Sequence, residues 1–311
     1  MGEQMGEQFE GMDASAAGVL EFLAAVGVPI EEGSPQVARE MYAATRASAG
    51  PDDLTGLVVE HREVAGVPCI VTTPEGDGPF PVLVWAHGGG WTIGTADIVQ
   101  PTATRFARDV GCVVVNVDYS LAPEHPFPVA LDEVAGVCAS VLAGDLGAVA
   151  DASRVAVGGD SAGGNLSAVV SALVPGLCHQ VLVYPSTDMT LSFPSITANG
   201  EGKLLTSAAM AWFRGHYLVG VDVRDPRVSP LWADDATVAA LPAATFVLAG
   251  HDPLHDEGQA YAERMAAAGV PVEVHAFPGQ IHGFFSLGAV VPEANDAAEL
   301  VAASLRTAFA A

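Results

Sequence analysis

A serine crowded by glycines is the part of this sequence best suited to do chemistry. In Val157–Leu166, read VGGDSAGGNL, Gly159 and Gly163 stand two residues before and two after Ser161. Glycine weakens strands and helices alike, so its crowding here serves something other than propensity. Between a strand and a helix, the pattern G-x-S-x-G makes a sharp turn that lifts one hydroxyl above a sheet. Glycines on either side let strand and helix approach. The helix that follows points its free N–H groups and the positive end of its dipole at the serine. The competing explanation is tight packing alone, so the remaining residues must decide.

A serine hydroxyl needs a base, and attack on an acyl carbon needs donors for the oxyanion. His87–Trp91, read HGGGW, ends an apolar run and offers consecutive glycine N–H groups without side chains in the way. The expected donors are Gly89, Gly90 and Ala162; the alternative is a merely flexible turn. Among the histidines, His282 follows the last strand on a loop at the sheet edge that carries Ser161. His87 is better read as a brace for the glycine turn. His61, His125, His179, His216 and His275 fall in strands, a Pro-rich turn or an insertion, where structural roles suffice. His251 and His255 flank Asp252, just after the run ATFVLAG. The reading is therefore His282 as base and Asp252 as the acid that orients it. Asp256 and Glu257 compete as acids but fall in the following helix. The chain order Ser161, Asp252, His282 is that of α/β hydrolases.

These residues need a sheet to hold them. From residue 57, LVVEHREV and VPCIVTT read as a hairpin joined at Ala65-Gly66. Apolar runs at 81–87, 112–119, 154–160, 179–185, 244–250 and 270–277 then alternate with Ala-rich helical stretches. That alternation predicts a mostly parallel sheet covered on both faces. It lapses between Tyr184 and Thr245, too long a gap for a plain loop, where MAWFRGHYL reads as an amphipathic helix in an insertion above the sheet. Residues 12–50 read as helical, with Val19, Phe22, Leu23, Val26, Val37, Met41 and Tyr42 at helical spacing and breaks at Gly27, Pro29 and Gly33. The expected organisation is a disordered tip over 1–11, a helical cap segment over 12–50, a catalytic core over 51–185 and 236–311, and a cap insertion over 186–235.

With 12 basic and 37 acidic residues among 311, a net charge of −25, the surface repels phosphate backbones and anionic lipid, which argues against nucleic-acid partners. No uninterrupted apolar run reaches the ~18 residues of a membrane span, so no integral membrane association is expected. MGEQMGEQFE lacks the basic and apolar regions of a signal peptide. Cys69, Cys112, Cys138 and Cys178 form no CxxC pair and read as buried thiols, which fits a reducing cytoplasm.

Taken together, HGGGW (87–91), DYSLAPEHPFP (118–128), GDSAGGNL (159–166), YPSTD (184–188), DPRVSPL (225–231), HDPLHDEG (251–258) and IHGF (281–284) resemble the bacterial hormone-sensitive-lipase-like (family IV) esterases of the α/β-hydrolase superfamily. The resemblance implies an eight-stranded, mostly parallel sheet with a helical cap. It also implies cleavage of short- to medium-chain carboxylic esters, no cofactor or metal, and a homodimer formed through the last strand. Trp91, Trp212, Phe213 and Phe284 become candidate pocket residues, with ordinary packing as the equal alternative. The sequence departs from the family at Ser120 and His255, where arginine is usual or frequent, and at Gln280, where an apolar residue is common. Three other readings compete: a catalytically silent small-molecule receptor, a lipase acting at lipid surfaces, and a peptidase. The presence of His282 opposes the first, the acidic charge the second and the HGGG turn the third.

Overall fold

The computed structural model describes residues 10–26 and 29–311. The expected disordered tip lies outside the described residues except for Glu10 and Gly11, which form a turn, and the break expected at Gly27 also lies outside them.

Two helices come first, α1 (Ala14–Val26) and α2 (Pro35–Ala43), the second capped by the Ser34 side chain. The sheet follows. β1 (Leu57–Val64) and β2 (Val67–Pro74) form a hairpin whose two-residue turn, Ala65-Gly66, has positive φ at both positions, as the twist of paired strands requires. The parallel strands are β3 (Phe80–Ala86), β4 (Val113–Val117), β5 (Ala150–Asp160), β6 (His179–Val183), β7 (Ala243–His251) and β8 (Val272–Ile281). The eight-stranded sheet runs β1-β2-β4-β3-β5-β6-β7-β8, with β2 antiparallel to β4.

The remaining helices are α3 (Gln100–Phe106), continued by a π turn over Ala107–Gly111, α4 (Val129–Leu142), α5 (Ala162–Leu173), α6 (Pro194–Ala198), α7 (Ser207–Tyr217), α8 (Asp235–Ala239), α9 (His255–Ala267) and α10 (Pro292–Ala310). Side chains of a strand alternate between faces, and both faces of the central strands are covered. Val82, Val84, Val113 and Val115 pack with Leu131, Val134 and Val137 of α4 and Leu166 and Val170 of α5. Leu83, Trp85, Val114 and Val181 pack on the other face with Phe106 of α3, Val301 and Leu305 of α10, and Leu20 of α1. Each fully buried side chain of this size stabilises the fold by roughly 1.5–3 kcal/mol.

The gap in the alternation is filled by α6, α7, a 3-10 turn at Pro230–Trp232 and α8. Thr206 caps α7 by accepting from the Ala209 N–H at 3.0 Å, and Ala209, Met210, Phe213 and Tyr217 form its buried face. The N-terminal segment is hydrogen-bonded to the core. Arg39 of α2 donates from Nε to the Thr92 carbonyl and from Nη2 to the Ala122 carbonyl, both at 2.9 Å. Ahead of α1, the Asp13 N–H donates to the Gly279 carbonyl at 2.9 Å. All four cysteines are free, three of them buried, and burial pushes the Cys69 thiol up to about 12.

By length and composition alone, Ala14–Glu32 is apolar enough to cross a membrane, with mean hydropathy 1.5 over 18 residues. Gly18, Glu21, Gly27 and Pro29 interrupt the stretch, which is why a search for unbroken apolar runs passes over it.

Candidate active site

β3 and β5 are adjacent and parallel, in a register that pairs Ala86 with Gly159. The two glycine-rich turns therefore leave the sheet side by side. Ser161 lies between β5 and α5 with φ 55° and ψ −116°, a conformation side chains rarely adopt. Gly159 and Gly163 make it reachable. A Cβ on Gly163 would stand 2.0 Å from the Ala86 carbonyl oxygen, and one on Gly159 2.4 Å from the same atom. The Ser161 N–H donates to the Val183 carbonyl of β6 at 2.9 Å.

His282 follows β8 and Asp252 follows β7, and these neighbouring strands bring them together. His282 Nε2 is 2.9 Å from Ser161 Oγ, and Nδ1 is 2.7 Å from Asp252 Oδ2. Asp252 is fully buried, and its Oδ1 accepts from the Leu254 N–H at 2.8 Å. The Tyr184 ring lies against the imidazole, centroids 4.6 Å apart. This geometry holds Nδ1–H toward the carboxylate and leaves Nε2 free to take the serine proton. The competing acids stand elsewhere: Asp256 and Glu257 occupy the first turn of α9. Asp256 binds the Ser195 N–H, and Glu257 binds the backbone of Thr187 and Asp188.

Gly89 and Gly90 have φ of 122° and 56°. Among the described residues their N–H groups have no acceptor, and Ala162 opens α5, where helix donors are left unpaired. His87 braces this turn as expected of its ring. It is buried, its Nδ1 is 2.7 Å from the Gly88 carbonyl, and it stacks on Tyr119 at 4.2 Å. Burial pulls its pKa down and so keeps the ring neutral. Tyr119 Oη donates to the His87 carbonyl at 2.7 Å.

The four aromatic candidates separate. Phe213 of α7 sits on the turn, its ring 2.3 Å from where a Gly90 Cβ would be. Trp212 packs edge-on against Phe213 and His216. Trp91 is buried and stacks on Tyr217 at 4.7 Å. Phe284 is corrected: it is fully buried among Tyr184, Phe277 and Phe285 and forms core rather than a pocket wall. Aromatic type alone could not separate these cases, because a loop aromatic next to a reactive histidine packs inward or outward equally well.

Among the buried carboxyls are Asp160, which was not singled out from sequence, and Glu257, which was weighed only as a competing acid. Asp160 Oδ1 accepts from the Gly88 N–H at 3.0 Å and so ties the glycine turn to the serine turn. Burial pushes its pKa up to about 6, against the pull of that hydrogen bond. Its place inside the serine pattern was a signal that could have found it. Glu257 is fully buried, and burial raises it to about 8. The departures from the family pattern are each accommodated. Ser120 donates twice to Glu133, His255 Nδ1 lies 3.0 Å from Asp256, and Gln280 Nε2 donates to Asp13 and to Ser15. Among the described residues, no three His, Cys, Asp or Glu side chains are grouped to hold a metal ion.

A serine, aspartate and histidine on the turns after β5, β7 and β8 at one edge of such a sheet define a hydrolase of the α/β type. The comparisons agree. Residues 83–286 match the model of a family described by the α/β-hydrolase fold. Carboxylesterase NlhH of Mycobacterium tuberculosis is 41% identical over 239 residues, 74% of each chain. Ethyl acetate hydrolase of Pseudomonas putida is 34% identical over 268 residues, 82% of this chain and 83% of the relative. The solved structure of an α/β-hydrolase enzyme from the metagenome of Lake Arreo, Spain, superposes with a TM-score of 0.90 at 33% identity, covering 97% of this chain and all of the other. The chain belongs to this α/β-hydrolase family, in the bacterial hormone-sensitive-lipase-like esterase branch that its motifs resemble.

Proposed function

We propose that this chain is a carboxylic ester hydrolase that works through an acyl-enzyme on Ser161. The observation that carries the reading is the continuous chain of contacts from Ser161 Oγ through His282 to Asp252, at 2.9 and 2.7 Å. His282 Nε2 takes the serine proton as Oγ attacks the ester carbonyl, and Asp252 holds the ring's tautomer and stabilises its charged form. The N–H groups of Gly89, Gly90 and Ala162 receive the oxyanion; a donor of this kind contributes about 100- to 1000-fold in rate. The alcohol departs with the proton from His282. Water then enters by the same base and releases the acid.

In this reading residues 12–50 and 186–235 form a cap over a catalytic core of 51–185 and 236–311. Phe213, with Trp212 beside it, closes the space above the oxyanion donors, which supports a preference for short to medium acyl chains. The four free cysteines support a cytoplasmic location. β8 forms an open edge of the sheet with Val274 exposed, which supports a homodimer paired through that strand.

The test is hydrolysis of p-nitrophenyl esters from acetate to palmitate by the wild type, Ser161→Ala and His282→Ala, with folding followed by circular dichroism. Activity is expected to peak at short or medium chains and to fall about 1000-fold or more in both variants. A folded Ser161→Ala protein with full activity would overturn the assignment.

A further inference from the structure

The turn that carries Asp252 is not held by the core alone. Asn199, directly after α6, donates from Nδ2 to two carbonyls, that of Gly250 at the end of β7 and that of Asp252 itself, each at 3.2 Å. Ser195, on α6 and buried, donates from Oγ to the next carbonyl in line, Pro253, at 2.6 Å. The same Oγ accepts from the Asp256 N–H at 3.2 Å, and the Ser195 N–H donates to Asp256 Oδ2 at 2.9 Å. Gly250, Asp252, Pro253 and Asp256 thus each meet a partner from the insertion between β6 and β7.

The turn needs these partners. Asp252 must place one carboxylate oxygen on His282 Nδ1 while the other accepts from the Leu254 N–H, which fixes its side chain relative to the local backbone. The position of that backbone is then set by what binds its carbonyls. The Asp252 carbonyl takes the His255 N–H from within the turn and Asn199 Nδ2 from outside it. Asn199 is the contact that reaches both the residue before the turn and the acid.

We infer that Asn199 is a positioning residue for hydrolysis: through the carbonyls of Gly250 and Asp252 it aims the acid at His282, so that the first part of the insertion belongs to the catalytic machinery. This rests on the assignment of Asp252 as the orienting acid. Asn199 acts through backbone atoms and touches no reacting group, so its loss is read in turnover rather than in substrate affinity.

The experiment measures kcat and KM on p-nitrophenyl butyrate for wild type, Asn199→Ala and Asn199→Asp. Rates are divided by the active sites counted from the nitrophenol released by a p-nitrophenyl alkylphosphonate, one per reactive serine. For Asn199→Ala, kcat per site is expected to fall about tenfold, a small misplacement of a catalytic group being enough for that, with KM within about twofold of wild type. Asn199→Asp is the discriminating variant. It keeps the volume but turns an acceptor toward two carbonyls, so it is expected to be slower than Asn199→Ala. A residue that only filled space would give the opposite order. Asp equal to or faster than Ala, or both within twofold of wild type, overturns the inference. If neither variant folds, Ser195→Ala and Ser195→Thr decide: several-fold loss in the first with recovery in the second, which keeps the hydroxyl, supports it, and equal rates overturn it. Wild-type turnover of the ester tests the hydrolase reading separately.

Discussion

Glu257 should make this protein less stable as the pH rises through neutrality. Its carboxyl is fully buried, accepting at Oε1 from the N–H groups of Thr187 and Asp188 at 2.7 and 3.2 Å and from Ser186 Oγ at 3.2 Å. Oε2 is buried without a partner among the described residues. Burial raises the group from 4.5 to about 8, against the pull of those hydrogen bonds. The folded chain therefore keeps its proton up to about pH 8, while the unfolded chain releases it near 4.5. Between those values the native state binds more protons, so stability falls with rising pH. One pKa step is worth about 1.4 kcal/mol, which makes the loss across the window on the order of 5 kcal/mol. Glu257→Gln keeps the shape and the Oε1 acceptor but cannot ionise. Urea unfolding of both proteins, followed by circular dichroism from pH 5 to pH 9, should give curves that agree near pH 5 and separate as the wild type weakens. Parallel curves over the whole range would refute the argument.

Two further outcomes follow from contacts at the site. Phe213→Ala removes the ring lying over Gly90, so kcat/KM for an octanoate relative to an acetate ester should rise roughly tenfold; an unchanged ratio removes Phe213 from the pocket. Gln280→Leu deletes the donor to Asp13 and Ser15 while relieving a buried oxygen that has no partner among the described residues. Global stability should move by less than about 1 kcal/mol, but hydrogen exchange in residues 14–26 should quicken; unchanged exchange would show that α1 does not depend on this link.

The sheet was legible because its strands are short valine-rich runs bounded by turns, and a run buried on both faces needs no finer pattern to be seen. Ser161, Asp252 and His282 were legible for a related reason: each follows such a run, and among the serines, histidines and acids that do so, Ser161 is the one flanked by the G-x-S-x-G glycines, with Asp252 and His282 after it in the order that chemistry uses. The contacts of the insertion were not. Asn199 and Ser195 stand in a stretch without periodicity, and nothing local tells a side chain that caps its own turn from one that crosses to a carbonyl 51 to 58 residues away. Asp160 was passed over, and Glu257 was weighed only as a rival acid, because the burial of a carboxylate does not show in its local sequence. Phe284 failed for the complementary reason, since the direction of a loop aromatic is decided by packing.

The backbone of Ser161 gives activity a use as a gauge of the native state. A side-chain residue held at φ 55° stores on the order of 1–3 kcal/mol, and it stays there because β5 is clamped between β3 and β6. Any loosening of that clamp lets the turn relax toward an ordinary conformation, which swings the hydroxyl away from its base while the helices around it are still formed. Under mild denaturant or heat, ester turnover should therefore fade before the far-ultraviolet signal does. A preparation judged sound by its helix content can already have lost its chemistry, and counting reactive serines is the stricter measure of how much protein is truly folded.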